Sequence, residues 1–76
     1  MLSERAATVL NVLVGVYLQS ATPVASDDIA RSLGKKISSA TVRNTMAQLT
    51  ENGYISRPHV SSGGVPSDRG NRRSVV

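Results

Sequence analysis

The chain has no cysteine, no tryptophan and no phenylalanine, and its 76 residues include only two tyrosines and one histidine. Without cysteine, neither a disulfide framework nor a thiolate metal site can stand in for a hydrophobic core, and nothing marks a redox compartment. The scarcity of aromatics leaves a small aliphatic core drawn from 39% apolar residues, enough for one domain of marginal stability. The lone histidine, His59, has no carboxylate or cysteine at ligand spacing, so metal binding and general-base catalysis lack support and no cofactor or metal is expected. No long apolar run is present either. Residues 6–18 are the richest stretch, yet Thr8, Asn11 and Gly15 interrupt it well short of the roughly 20 residues of a membrane span. Glu4 neutralises Arg5 at the start, which is unlike a secretory signal, and a cytoplasmic location is expected. Asp27 and Asp28 are neighbours at a helix start and read as partners of the helix dipole. With no nucleophile, base and orienting group in view, the chain is not expected to be an enzyme.

Charge is present in excess of one sign: nine Lys and Arg against five Asp and Glu give a formal +4. Its distribution is uneven. Residues 1–30 hold one cation, Arg5, against Glu4, Asp27 and Asp28, whereas residues 31–76 hold eight cations against Glu51 and Asp68. The basic field therefore belongs to the second half, where it favours a polyanion such as nucleic acid.

Ser3 is a suitable N-cap, and Ala6, Val9, Leu10, Leu13, Val16 and Tyr17 recur at spacings of three and four, which predicts a helix from Glu4 to about Gln19. Pro23 interrupts the pattern, so Ala21-Thr22-Pro23-Val24 is expected to be a short extended link. Ser26 is then expected to cap a two-turn helix that buries Ile29, Ala30 and Leu33 and stops at Gly34. After Lys35-Lys36-Ile37, Ser38 caps a third helix whose inward stripe is Val42, Met46 and Leu49 and whose end is Gly53. At 100° per residue, Ala40, Arg43, Asn44, Ala47, Gln48 and Glu51 fall on its far side, with Thr41 and Thr45 on one flank. Two helices joined by a tight turn, the second with a polar outer face, fit a helix-turn-helix, and equally a plain helical bundle. Beyond Gly53, Tyr54 and Ile55 favour extended structure, and Val65 beyond the paired Gly63 and Gly64 suits a returning strand, making a small hairpin. A hairpin after a helix-turn-helix is the wing of a winged helix, whose serine hydroxyls and backbone amides can meet phosphates. One core is expected from Val9, Leu10, Leu13, Tyr17, Ile29, Leu33, Val42, Met46, Leu49 and Ile55. The expected fold is thus α+β, mainly α: a winged helix-turn-helix of three helices and a hairpin wing over residues 1–66. Residues 67–76 follow as a basic tail, either frayed or the first turn of a further element.

The run Ser39-Ala40-Thr41-Val42-Arg43-Asn44-Thr45-Met46, then Leu49, Gly53-Tyr54-Ile55, Pro58-His59, Ser61, Gly63, Val65-Pro66 and Asp68-Arg69-Gly70, resembles the N-terminal domain of the HrcA heat-inducible transcription repressors. Upstream, Pro23-Val24 and Ser26 are similar to a further segment of that family, so the likeness spans nearly the whole chain. The resemblance implies a dimeric repressor that binds an inverted-repeat operator in double-stranded DNA ahead of chaperone genes and is linked to the GroE chaperonin. Full members continue into a larger dimerisation and regulatory region, so the chain is expected to be an isolated DNA-binding domain or a stand-alone relative. Three positions depart from the usual pattern: Thr45 for aspartate, Gly64 for arginine and Asn71 for tyrosine. The missing arginine removes one potential DNA contact from the wing, for which Arg57, Arg69, Arg72 and Arg73 are nearby substitutes.

In that context Arg43, Asn44 and Gln48 become candidates for base edges, since arginine matches guanine O6 and N7, and asparagine or glutamine matches adenine. The plainer reading is a solvated helix face. Ser39, Ala40 and Thr41 open the same helix, where hydroxyls and free amides suit a phosphate or a base edge, with capping as the alternative. Lys35 and Lys36 suit a phosphate anchor, although two lysines in an exposed turn are ordinary. Arg57, His59, Ser61 and Ser62 are the candidates of the wing, with His59 in a backbone or structural contact. A second reading keeps the fold but has the outer helix face dock a protein. With no heptad repeat and no large apolar surface left over, the 76-residue chain alone should sediment as a monomer; a dimer in sedimentation equilibrium would contradict this.

Overall fold

The structure, a computed structural model, describes residues 2–34, 36–56 and 63–73. It is a winged helix-turn-helix. Helix α1 (Glu4–Ser20) starts where the Ser3 hydroxyl oxygen accepts the Ala6 N–H at 3.1 Å, with Glu4 supplying negative charge to the first turn. Its buried stripe is Ala6, Val9, Leu10, Leu13 and Val14. The helix ends on Ala21, in left-handed geometry at φ 55° and ψ 27°, whose N–H donates to the Tyr17 carbonyl at 2.7 Å. A non-glycine residue held there costs about 1–2 kcal/mol.

The expected extended link is more than a spacer, because Val24 forms an antiparallel bridge with Gly64: each N–H donates to the other carbonyl at 2.9 Å. This pairing also corrects the expected cap of the second helix, α2 (Ser26–Ser32). Val24 is held extended by the bridge, and the chain turns helical at Ser26 itself. The N-cap is therefore Ala25, whose carbonyl accepts from Asp28 and Ile29, and no side chain caps the helix. Asp27 and Asp28 supply the complementary charge at that end.

Helix α3 (Ser39–Glu51) has its cap as expected at Ser38 and buries Val42, Thr45, Met46 and Leu49. Thr45 is 5% exposed, and its hydroxyl donates back to the Thr41 carbonyl at 2.9 Å, which satisfies it inside the fold. The helix closes in a Schellman motif. Gly53 at φ 80° lets its own N–H reach the Thr50 carbonyl and the Tyr54 N–H reach the Leu49 carbonyl. Tyr54, buried, follows Leu49 into the core.

Strand β1 (Ile55–Ser56) pairs antiparallel with β2 (Val65–Pro66), Ile55 opposite Pro66 and Ser56 opposite Val65. The expected core residues are buried apart from Tyr17 and Leu33, which are half-buried at its rim, while Ala6, Val14, Val24, Ala30 and Tyr54 join it. The three expected helices are joined by a fourth, α4 (Asp68–Arg73). Ser67 seats it: its N–H donates to the Tyr54 carbonyl, its hydroxyl donates to the Gly53 carbonyl at 2.6 Å, and the Gly70 N–H donates to that same hydroxyl. The Arg69 guanidinium lies 4.6 Å over the Tyr54 ring and also donates to its hydroxyl.

Gly70 passes so close to the Tyr54 carbonyl that an added Cβ would collide with backbone. Gly70→Ala is therefore expected to unseat α4 and to lower stability by about 1–3 kcal/mol, the usual range for overpacking, read as a lower Tm in a thermal melt. An unchanged melting curve would show that α4 adds nothing to the fold.

Candidate nucleic-acid interface

Burial of Val42, Met46 and Leu49 decides which side of α3 meets solvent, because these three fall within about 60° of one another around the helix and the residues across the axis from them point away. The outward arc is the expected one: Ala40, Arg43, Asn44, Ala47, Gln48 and Glu51 are all exposed. Small alanines between long polar side chains leave Arg43, Asn44 and Gln48 unobstructed. The N-terminal end is held by Ser38, whose hydroxyl accepts the Thr41 N–H at 3.2 Å and donates to the Thr41 hydroxyl at 3.0 Å. Capping thus uses the Ser38 hydroxyl as donor and acceptor and the Thr41 N–H as donor, and leaves the Thr41 hydroxyl its own proton. Ser39 is half-buried and turned toward α2, where it lines a cleft with Asp27, Ala30, Arg31, Ile37 and Ser38. Lys36 is exposed in the turn before α3. Lys35 and the wing candidates Arg57, His59, Ser61 and Ser62 lie outside the described residues.

Position 64, where the family pattern carries arginine, packs against the core. Gly64 is buried at the base of the wing, and a Cβ there would point at the tips of Leu13, Met46 and Ile55, at 3.1–3.2 Å. In this backbone the position faces the core, because bridging to Val24 fixes its orientation. A side chain added at this position would have to displace those tips. Among the suggested substitutes, Arg69 is engaged with Tyr54 and Arg72 is exposed on α4.

On the opposite flank from α2, the start of α1 runs beside α3. Ser3, Glu4 and Arg5 face Thr41, Asn44, Thr45 and Gln48 across a groove. Sequence reasoning missed this neighbourhood, and no local signal marks it: the two walls are about forty residues apart in the chain, and only tertiary packing brings them together. The one ion pair among the described residues is Arg31 with Asp28 at 3.1 Å, both more than half exposed, of the class that contributes about 0–1 kcal/mol. No cluster of three or more His, Cys, Asp or Glu occurs among the described residues, and no helix there is long and apolar enough to cross a membrane.

A buried-stripe helix with a polar outer arc, a short helix across its start and a wing pinned to the core is an arrangement with known relatives. Residues 1–69 match the family of the winged helix-turn-helix transcription repressor, HrcA DNA-binding. The chain belongs to this HrcA family. It is 49% identical over 74 residues to the heat-inducible transcription repressor HrcA of Chlorobium phaeobacteroides (strain BS1), covering 97% of this chain and 21% of that protein. It is 51% identical over 71 residues to the HrcA of Herpetosiphon aurantiacus, covering 93% and 20%. The chain thus spans about a fifth of the length of the curated HrcA relatives it matches. A crystal structure of a hypothetical protein aligns with a TM-score of 0.89 at 38% identity, over 96% of this chain and 23% of that one.

The Ser38 cap organises the first turn of the exposed helix. Ser38→Ala is expected to cost about 1 kcal/mol in thermal unfolding, with Ser38→Asp retaining most of the stability because a carboxylate caps equally well. An unchanged melt in Ser38→Ala would show that the Ser38–Thr41 contacts do not support the helix.

Proposed function

We propose that this chain is the DNA-binding part of a heat-inducible transcription repressor, with α3 inserted in the major groove of duplex DNA. The observation that carries the reading is the exposed arc of α3, where Arg43 and Asn44 stand unobstructed over a fully buried stripe. In this reading Arg43 bonds a guanine and Asn44 an adenine, and Gln48 adds a weaker contact near the far end of the helix. Each good pair discriminates against a wrong base by about 1–3 kcal/mol. Lys35 and Lys36 at the turn, the opening residues Ser39, Ala40 and Thr41, and the wing residues Arg57, His59, Ser61 and Ser62 hold flanking phosphates. Since the Ser38 hydroxyl accepts the Thr41 N–H and donates to the Thr41 hydroxyl, Thr41 contributes in this scheme through the proton its hydroxyl retains.

The names of the relatives support a heat-inducible transcription repressor; in this reading it is cytoplasmic, represses chaperone genes and acts without catalysis. Its operator is an inverted repeat, which suits a homodimer, and linkage to the GroE chaperonin runs through the further length that its relatives have. Residues 1–66 form the DNA-binding unit, with α4 packed against it through Ser67 and Arg69.

Fluorescence anisotropy with a duplex enriched by this chain from a randomised pool, against the same duplex scrambled, tests the reading. Preference for the enriched duplex is expected, with affinity falling in a log–log salt plot by about 0.9 per phosphate neutralised. Replacing Arg43 and Asn44 together by alanine should weaken the preferred complex at least tenfold while the thermal melt stays cooperative. Equal, negligible binding to both duplexes would instead favour a protein-docking role for the same face.

A further inference from the structure

We propose that Arg5 is a phosphate-contacting residue of the same interface, so that α1 grips the DNA strand on the side of α3 away from α2; this rests on the major-groove reading above. The argument begins with size. A helix with its side chains is about 10–12 Å across and fills a major groove about 12 Å wide. An element packed alongside that helix, at the usual interaxial separation of about 8–10 Å, then lies over a bordering phosphate strand and not over the bases.

Helix α3 has such an element on each flank. On one side is the α2 cleft, bordered by Arg31 and Ser39; on the other is the groove walled by the start of α1. In that second groove Arg5 is the only Lys or Arg among the lining residues, beside the base-facing Asn44 and Gln48. Its guanidinium is exposed and forms no hydrogen bond or ion pair among the described residues, whereas Arg31 is tied to Asp28 and Arg69 to Tyr54. Engaging a phosphate therefore breaks no existing contact. Glu4 shares the groove and opposes a diffuse attraction, which makes a directed contact from Arg5 the way for this wall to accept a phosphate. The cation that stands alone in the acidic first part of the sequence is brought by folding to the edge of the reading helix.

Phosphate contacts set register and carry no sequence information, which gives the proposal a signature distinct from that of α3. Salt titrations of binding are run on Arg5→Ala, Arg5→Lys and the Arg43→Ala/Asn44→Ala double variant, each with the pool-enriched duplex and a mixed-sequence duplex of equal length. Arg5→Ala is expected to weaken both complexes by the same factor and to reduce the log–log salt slope by about 0.9, with Arg5→Lys restoring the slope. An unchanged slope in folded Arg5→Ala, while the double variant loses its preference for the enriched duplex, overturns the Arg5 proposal and leaves the major-groove reading standing. Loss confined to the enriched duplex also overturns it, since that marks a base contact. If the double variant binds as the parent does, the major-groove reading fails, and the Arg5 proposal fails with it.

Discussion

Burial of the Val42, Met46 and Leu49 stripe is the constraint on which the remainder of the fold depends. Each of these side chains is almost fully removed from water, which contributes about 1.5–3 kcal/mol apiece and fixes the rotation of α3 about its own axis. Once that rotation is set, every outward position is set with it. The polar arc from Ala40 to Glu51 is in this sense a by-product of the core, and the functional surface inherits its precision from packing beneath it.

The wing is tied to the same core by backbone. Val24 and Gly64 exchange both of their hydrogen bonds, so the link between α1 and α2 serves as a further partner at the edge of the hairpin. Beneath this bridge the tips of Leu13, Met46 and Ile55 converge, one from α1, one from α3 and one from β1. Helix-turn-helix and wing are therefore held by one shared cluster, and a shift in either moves the other. Helix α4 adds a further tie at the end of α3, through Ser67 on the Gly53 carbonyl and Arg69 over Tyr54.

Elements whose signals are local were legible. Ser3 and Ser38 as caps, Gly53 as a stop and the three-and-four spacing in α1 and α3 all express contacts between residues within four or five positions of each other. Failures of the same reasoning are instructive. Ser26 has the chemistry of a cap, but a strand bridge two residues upstream decided where α2 begins. Thr45 reads as a flank residue by angle alone, yet α1 packs over that flank and buries it. Gly64 carries no local mark of its surroundings, and pairing with Val24 sets it against the core.

Chain composition and periodicity on their own were enough to establish a small aliphatic core and helices with defined faces, and to leave a helix-turn-helix with a hairpin beside a plain bundle, because those properties follow from side-chain period and cap chemistry. Only tertiary structure decided that Val24 joins the wing, that residues after Pro66 fold back as α4, and that Arg5 stands beside Asn44 and Gln48. Those outcomes depend on which faces meet across fifteen to forty intervening residues, and no local spacing encodes a meeting at that range.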